Sequence, residues 1–243
     1  LAAAYRKNGQ PAEAKKVYDA ILGLKPEEKD AYFLRGSAEL ELGDYESAKA
    51  DFDKAISMDP KNYDRMIEIY EALADYGYRK VGQEYLQNVL NTAKQLDSYD
   101  SGRIYYYLGD YQKAYLALEE AKGKGGVDSY LYLGKAYAAT GDYNYASSVY
   151  SNYLSKQGPD AEIYNQLGLC EMAKKDYQKA LEAFQAGKQI EGNSLMQTLC
   201  FNEIVAYEYL EDYQKAAVLL KAYLQNYPDD QAAIREQQFL STR

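Results

Sequence analysis

Apolar residues recur along this chain at the three- and four-residue spacing of an α-helix, and the pattern breaks at regular intervals. Tyr130, Leu133 and Tyr137 run up to one such break at Gly141, and Ala146, Val149, Tyr150 and Tyr153 resume the pattern beyond it. The break itself recurs. Gly141, Asp142, Tyr143 and Ala146 are matched by Gly43, Asp44, Tyr45 and Ala48 and by Gly109, Asp110, Tyr111 and Ala114. Asp176, Tyr177 and Ala180, and then Asp212, Tyr213 and Ala216, keep all but the glycine. Each unit therefore reads as a helical hairpin: glycine tolerates the left-handed backbone that ends a helix, and Asp142 caps the next one by accepting from its free amides.

Measured at the turn, the anchors are Gly9, Gly43, Gly77, Gly109, Gly141, Lys175 and Glu211, spaced by 34, 34, 32, 32, 34 and 36 residues. So steady a period means one supersecondary unit copied about seven times, and predicts an all-α chain forming a single array over 1–243. A second regularity concerns packing. Gly36, Gly102, Gly134 and Gly168 lie seven residues before an anchor, and Ala48, Ala114, Ala146 and Ala180 lie twelve residues after each of these. Glycine within a helix costs about 1 kcal/mol against alanine, so its recurrence predicts close contact between the paired helices. In the third unit the pair is Tyr70 with Gly82, large facing small. Ile204 with Ala216 breaks the pattern and predicts a wider separation in the seventh.

These residues resemble the tetratricopeptide repeat family. In the fifth unit Tyr130, Leu133, Gly134, Tyr137, Gly141, Tyr143, Ala146 and Tyr150, with the break at Gly158 and Pro159, follow the family pattern, and Tyr153 departs from it where a small residue is preferred. Pro26, Pro60 and Pro228 stand at the family's closing proline. The resemblance implies a right-handed α-solenoid of about seven antiparallel helix pairs, whose first helices line a concave groove for peptides or protein partners. Residues 229–240 read as a further, capping helix with a partly polar face. Leu1 falls at the seventh position of its unit, so the chain opens partway through a helix, with a frayed or formerly covered end. Lys122 to Gly126 is the most flexible stretch by composition and reads as a surface loop, with a hinge as the alternative.

Carried over position by position, the resemblance places Phe33, Ser37, Leu40, Ile67 and Glu71 in the groove, followed by Tyr99, Arg103, Tyr106, Leu131 and Lys135. Asn165, Leu169, Met172, Phe201, Val205 and Glu208 complete it. The expected surface is mostly apolar and aromatic with one cationic island at Arg103 and Lys135, suited to a peptide with apolar anchors and an acidic group. The family's lysine and asparagine clamp for a chaperone tail's carboxylate is missing: Phe33, Ile67, Tyr99, Leu131, Asn165 and Phe201 stand at the lysine positions, and Ser37, Glu71, Arg103 and Lys135 at the asparagine ones.

Composition narrows the partners. Twenty-eight basic and 37 acidic residues give a net charge of −9, so nucleic acid and anionic membrane are poor partners. No apolar run is long enough to span a bilayer. The chain has no histidine, no phosphate-cradling glycine loop and no nucleophile elbow, which argues against an enzyme and leaves no ordinary ligand set for zinc; no metal and no cofactor is expected. Cys170 and Cys200 read as small buried hydrophobes rather than a disulfide or a reactive thiol. Most of the 29 tyrosines, Tyr45, Tyr111, Tyr143, Tyr177 and Tyr213 among them, read as packing residues with a wet hydroxyl. The leading functional expectation is a non-catalytic peptide-binding scaffold. A structural or self-assembling part of a bacterial envelope complex and a regulatory arm of a larger protein are the alternatives, and homo-oligomerisation stays open. The start of the chain and its tyrosine-rich, histidine-free composition lean toward a bacterial envelope or surface location, with the cytoplasm as the alternative.

Overall fold

A computed structural model describes residues 1–242. Among these there are fifteen helices and no strand. They fall into two compact units, the first Leu1–Leu96 with Tyr107–Gly109, the second Asp97–Tyr106 with the residues from Asp110 onward. The first contains α1 (Ala2–Lys7), α2 (Pro11–Leu24), α3 (Lys29–Glu41), α4 (Tyr45–Met58), α5 (Tyr63–Asp75) and α6 (Arg79–Thr92). The second contains α7 (Ser98–Leu108, apart from its last turn), α8 (Tyr111–Glu120), α9 (Gly126–Ala139), α10 (Tyr143–Gln157) and α11 (Ala161–Ala173). It continues through α12 (Tyr177–Lys188), α13 (Met196–Tyr209), α14 (Tyr213–Asn226) and α15 (Gln231–Leu240). Within each unit consecutive helices pack as hairpins, and the first helices of neighbouring hairpins also touch, α3 on α5 and α9 on α11. Each unit is thus an α-solenoid of stacked helix pairs.

The turn predicted from the repeat is present at every anchor. Gly9, Gly43, Gly77, Gly109 and Gly141 have φ between 67° and 87°, and Lys175 and Glu211 take the same left-handed backbone at 64° and 61°. The next residue's amide then reaches back across the helix end, from Asp44 to the Glu39 carbonyl at 2.8 Å and from Asp142 to that of Tyr137 at 3.0 Å. The same aspartate opens the following helix. Asp142 accepts from the Tyr145 amide at 3.1 Å, and Asp44, Asp110, Asp176 and Asp212 cap α4, α8, α12 and α14 alike. Tyr78 holds this place in the third repeat, and α6 begins without a side-chain cap.

Close helix contact at the recurrent glycines is confirmed, with a different principal partner. A Cβ on Gly36 would lie 2.8 Å from the Phe52 ring, and one on Gly102 would lie 2.5 Å from Leu118. At Gly134 and Gly168 it would run into the rings of Tyr150 and Phe184. The residue that fills the space vacated by glycine is therefore one turn beyond the expected alanine, whose carbonyl lies alongside at Ala48 and Ala114. Tyr70 does face Gly82, as expected. Phe52, Tyr150 and Phe184 are fully buried, each contributing about 1.5–3 kcal/mol of apolar burial.

At the chain's other end Asp230 caps α15 by accepting from the amides of Ala232 and Ala233, while Ala233 and Leu240 bury against Ile204, Ala216, Leu220 and Tyr223. Gln237 and Gln238 stay exposed, so α15 lays an apolar face on α13 and α14 and keeps a polar one outward. In the Lys122 to Gly126 stretch the first four residues form an ordered turn and Gly126 opens α9. Ser129 donates to the Gly126 carbonyl and accepts from the Gly123 amide, and Gly125 lies against the Tyr99 ring. The division between the units falls at residues 96 and 97, not in this loop.

Candidate functional site

In the first unit α1, α3 and α5 present their faces to one recess. Its walls are Arg6 from α1, Phe33 and Ser37 from α3, and Glu68, Glu71, Ala72 and Asp75 from α5, with Tyr76 beyond, around a volume of about 340 Å³. Helical spacing explains the acidic wall, because residues 68, 71 and 75 are separated by three and four positions and so fall on one stripe of α5. Glu68 pairs with Arg65 at 2.9 Å, and the Arg65 guanidinium stacks 4.1 Å from the Phe33 ring centroid. Arg6 is held by Glu41, donating from Nε at 2.6 Å. Glu71 is exposed and accepts from the hydroxyl of Tyr107, a residue that clusters with this unit. Ser37 turns its hydroxyl to the Phe33 carbonyl at 2.9 Å. The outcome is an open acidic recess with aromatic walls at Phe33 and Tyr76.

Of the positions carried over from the family resemblance, Phe33, Ser37 and Glu71 line this recess, whereas Arg6, Glu68, Asp75 and Tyr76 were not among them. The carboxylate stripe was the available signal. Leu40 and Ile67 do not belong to the surface: both are buried, Leu40 in the core with Ala48, Phe52, Ile69 and Leu73.

In the second unit Leu131 is likewise a core residue, packed with Ala146, Tyr150, Ile163 and Cys170. The expected cationic island is largely satisfied from within. Arg103 is buried, pairs with Asp100 one turn earlier and stacks 4.3 Å from the Tyr99 ring centroid, and Lys135 lies 3.5 Å from Glu162 on α11. Asn165 is buried and accepts from Asn202 on α13 at 2.9 Å, a polar tie between adjacent first helices. Tyr106 sits among Tyr111 and Tyr132, with ring centroids 5.7 and 5.6 Å away. Phe201 packs toward Tyr223, and Met172 against the core of α12 and α13. Leu169 is 42% exposed and Val205 half-buried, so these two offer apolar surface. Burial, and then the Glu236 carboxylate on α15, push the Glu208 carboxyl up to about 7. Among the described residues no cluster of acidic and cysteine side chains is arranged to hold a metal, and no helix is long and apolar enough to cross a membrane. Cys170 is buried and Cys200 half-buried; both are free thiols, and burial pushes Cys170 up to about 12.

Comparison with known proteins agrees with the fold of stacked helix pairs. Tetratricopeptide repeat models match residues 1–63 and 131–193, and again residues 202–230. Over 62 residues the chain is 42% identical to a Mus musculus protein described as FK506-binding protein-like; the match takes in 26% of this chain and only 18% of the mouse protein's length. A tetratricopeptide repeat protein from Parabacteroides merdae superposes with a TM-score of 0.58 at 15% identity, covering 85% of this chain and 81% of its own. YrrB, described as a protein of the same repeat type with an unusual peptide-binding site, gives 0.50 at 18% identity, with 91% and 97% covered.

Proposed function

The chain belongs to the tetratricopeptide repeat family, and from that premise we propose that it is a non-catalytic scaffold whose first-unit recess grips a basic segment of a partner protein. Family membership supports the scaffold class, since repeat hairpins of this kind offer extended surfaces rather than enclosed reaction chambers. The observation that carries the finer reading is the recess itself, where Glu68, Glu71 and Asp75 face the same space as Phe33 and Tyr76. A lysine or arginine side chain there meets carboxylates and an aromatic face together, and Arg65 over Phe33 already displays that stacking. The net charge of −9 draws such a partner from a distance. That YrrB has a peptide-binding site supports a peptide as the class of guest. In the second unit Leu169 and Val205, with Tyr106 and Lys135 among the residues expected on its inner face, are the proposed apolar and polar contacts for a further stretch of partner.

Fluorescence polarisation with labelled peptides tests this. A peptide with two or three lysines or arginines around an apolar residue should bind, and its glutamate counterpart should not. Reversing Glu71→Lys together with Asp75→Lys, both exposed positions, should weaken the basic peptide by about tenfold or more, and raising the salt should weaken the native protein's binding in the same direction. Equal binding of both peptides, or indifference to the reversal, would remove the recess from the function. Leu131 is unsuited to such a test, because aspartate at a core position would report unfolding instead of binding.

A further inference from the structure

Away from the recess, the first unit contains a larger cavity, of about 850 Å³, that the groove reading does not use. It lies where the C-terminal ends of α4 and α6 part around the first turn of α5. Ile56 from α4, Met66 from α5 and Val89 from α6 contribute its apolar surface; Met66 and Val89 are each only 5% exposed. Two tyrosines flank it. Tyr85 is fixed by its hydroxyl, which donates to Asp53, and Tyr63 opens α5. Asn88, Thr92 and Gln95 make its border polar, and Lys61 and Lys94 stand on that border. Both lysines are exposed and neither is ion-paired among the described residues, in a chain where acidic groups outnumber basic ones.

From this we propose that the cavity binds an amphipathic acid: an apolar chain or ring that lies on Ile56, Met66 and Val89 and ends in a carboxylate held by Lys61 and Lys94. The volume lies within the roughly 300–1,000 Å³ of small-molecule sites, and an apolar lining with a few placed polar groups is the usual make-up of such a site. The apolar body gains by leaving water, whereas an uncharged ligand of the same body forgoes the two ammonium groups. A free fatty acid and the C-terminal residue of a peptide share this chemistry.

Calorimetric titration of the whole chain with decanoate and with decanol, and with acetyl-Gly-Phe-Leu as the free acid and as the amide, separates the terms and the sources. At least one of the two acids should bind saturably at one site, about tenfold more tightly than its uncharged counterpart. Which acid binds tells a lipid-like ligand from a chain terminus. Lys61→Glu with Lys94→Glu, changes at exposed side chains, should erase that tenfold preference, and Val89→Trp should fill the cavity and block binding. The reversal Glu71→Lys with Asp75→Lys should leave both unchanged, which keeps this site's outcome apart from that of the recess. Equal affinity for acid and uncharged partner, undiminished binding to a folded Val89→Trp protein, or no saturable binding of either acid would overturn the proposal.

Discussion

Lys175 and Glu211 hold the left-handed turn that five other repeats give to glycine, at φ of 64° and 61°. A side chain with a Cβ is strained there by about 1–2 kcal/mol, partly offset by the greater chain entropy that glycine loses on folding. Lys175→Gly and Glu211→Gly should therefore each stabilise the protein by about 0.5–1 kcal/mol, seen as a higher urea midpoint with an unchanged slope. A lower midpoint at either position would mean that the side chain makes a contact worth more than its strain. The repeat made this turn legible even where glycine was absent, because the phase of the flanking helices fixes the backbone and the residue has to follow. The inner face was less legible. Phe33, Ile67, Tyr99, Leu131, Asn165 and Phe201 share one repeat phase, yet Ile67, Leu131 and Asn165 are buried and the others half-exposed. Exposure at that phase depends on what the adjacent helix lays over it, and a periodic pattern carries no information about that. For the same reason the glycines were recognised as contact points, while their true partners, one turn past the alanines, depended on how the helices cross.

Three helices of the first unit are tied by charge. Arg35 on α3 donates to both oxygens of Asp51 on α4 at 2.6 and 2.7 Å, and to Asp19 on α2 at 2.9 Å. Glu39, one turn along α3, is buried in this arrangement with Lys15 at 3.5 Å and one carboxylate oxygen without a partner. Burial and then the neighbouring Asp51 charge raise its carboxyl from the usual carboxylate range to about 7, against the opposing pull of Lys15 and Arg35. The folded chain thus holds a proton here between about pH 4.5 and 7 that the unfolded chain has released, so this group's contribution to stability declines as pH rises through that window. Glu39→Gln should remove the decline. At pH 8 it should be about 1–3 kcal/mol more stable than the native protein, and near pH 4 about equal to it, by denaturant titration at each pH. A difference independent of pH would place the titration elsewhere, with Glu208 beside Glu236 the other carboxyl pushed to about 7. The fold of these elements could be read from the chain. The buried carboxyl could not, since Glu39 takes a repeat position that carries tyrosine in several other units and nothing in its neighbours along the sequence marks it.

At the scale of the whole chain, repeats that touch only their neighbours make stability a local property. Leu133 is fully buried in the second unit with Ala114, Leu118, Ala136 and Val149. Leu133→Ala should cost about 2–5 kcal/mol, and by hydrogen exchange its loss of protection should concentrate in α8 to α11 while amides of α2 to α4 change little. Uniform loss across both units would show that the chain unfolds as one body. The turns add a consequence of a different kind. The link from a repeat's first helix to its second is two or three residues everywhere, whereas the link onward to the next repeat ranges from three between α10 and α11 to seven between α12 and α13. An aspartate that both closes one helix and starts another leaves no slack for an inserted residue. Changes in length are thereby channelled to a single side of every module, and a reporter loop grafted near Gly192 should be accommodated where the same graft at Gly141 would pull a hairpin apart.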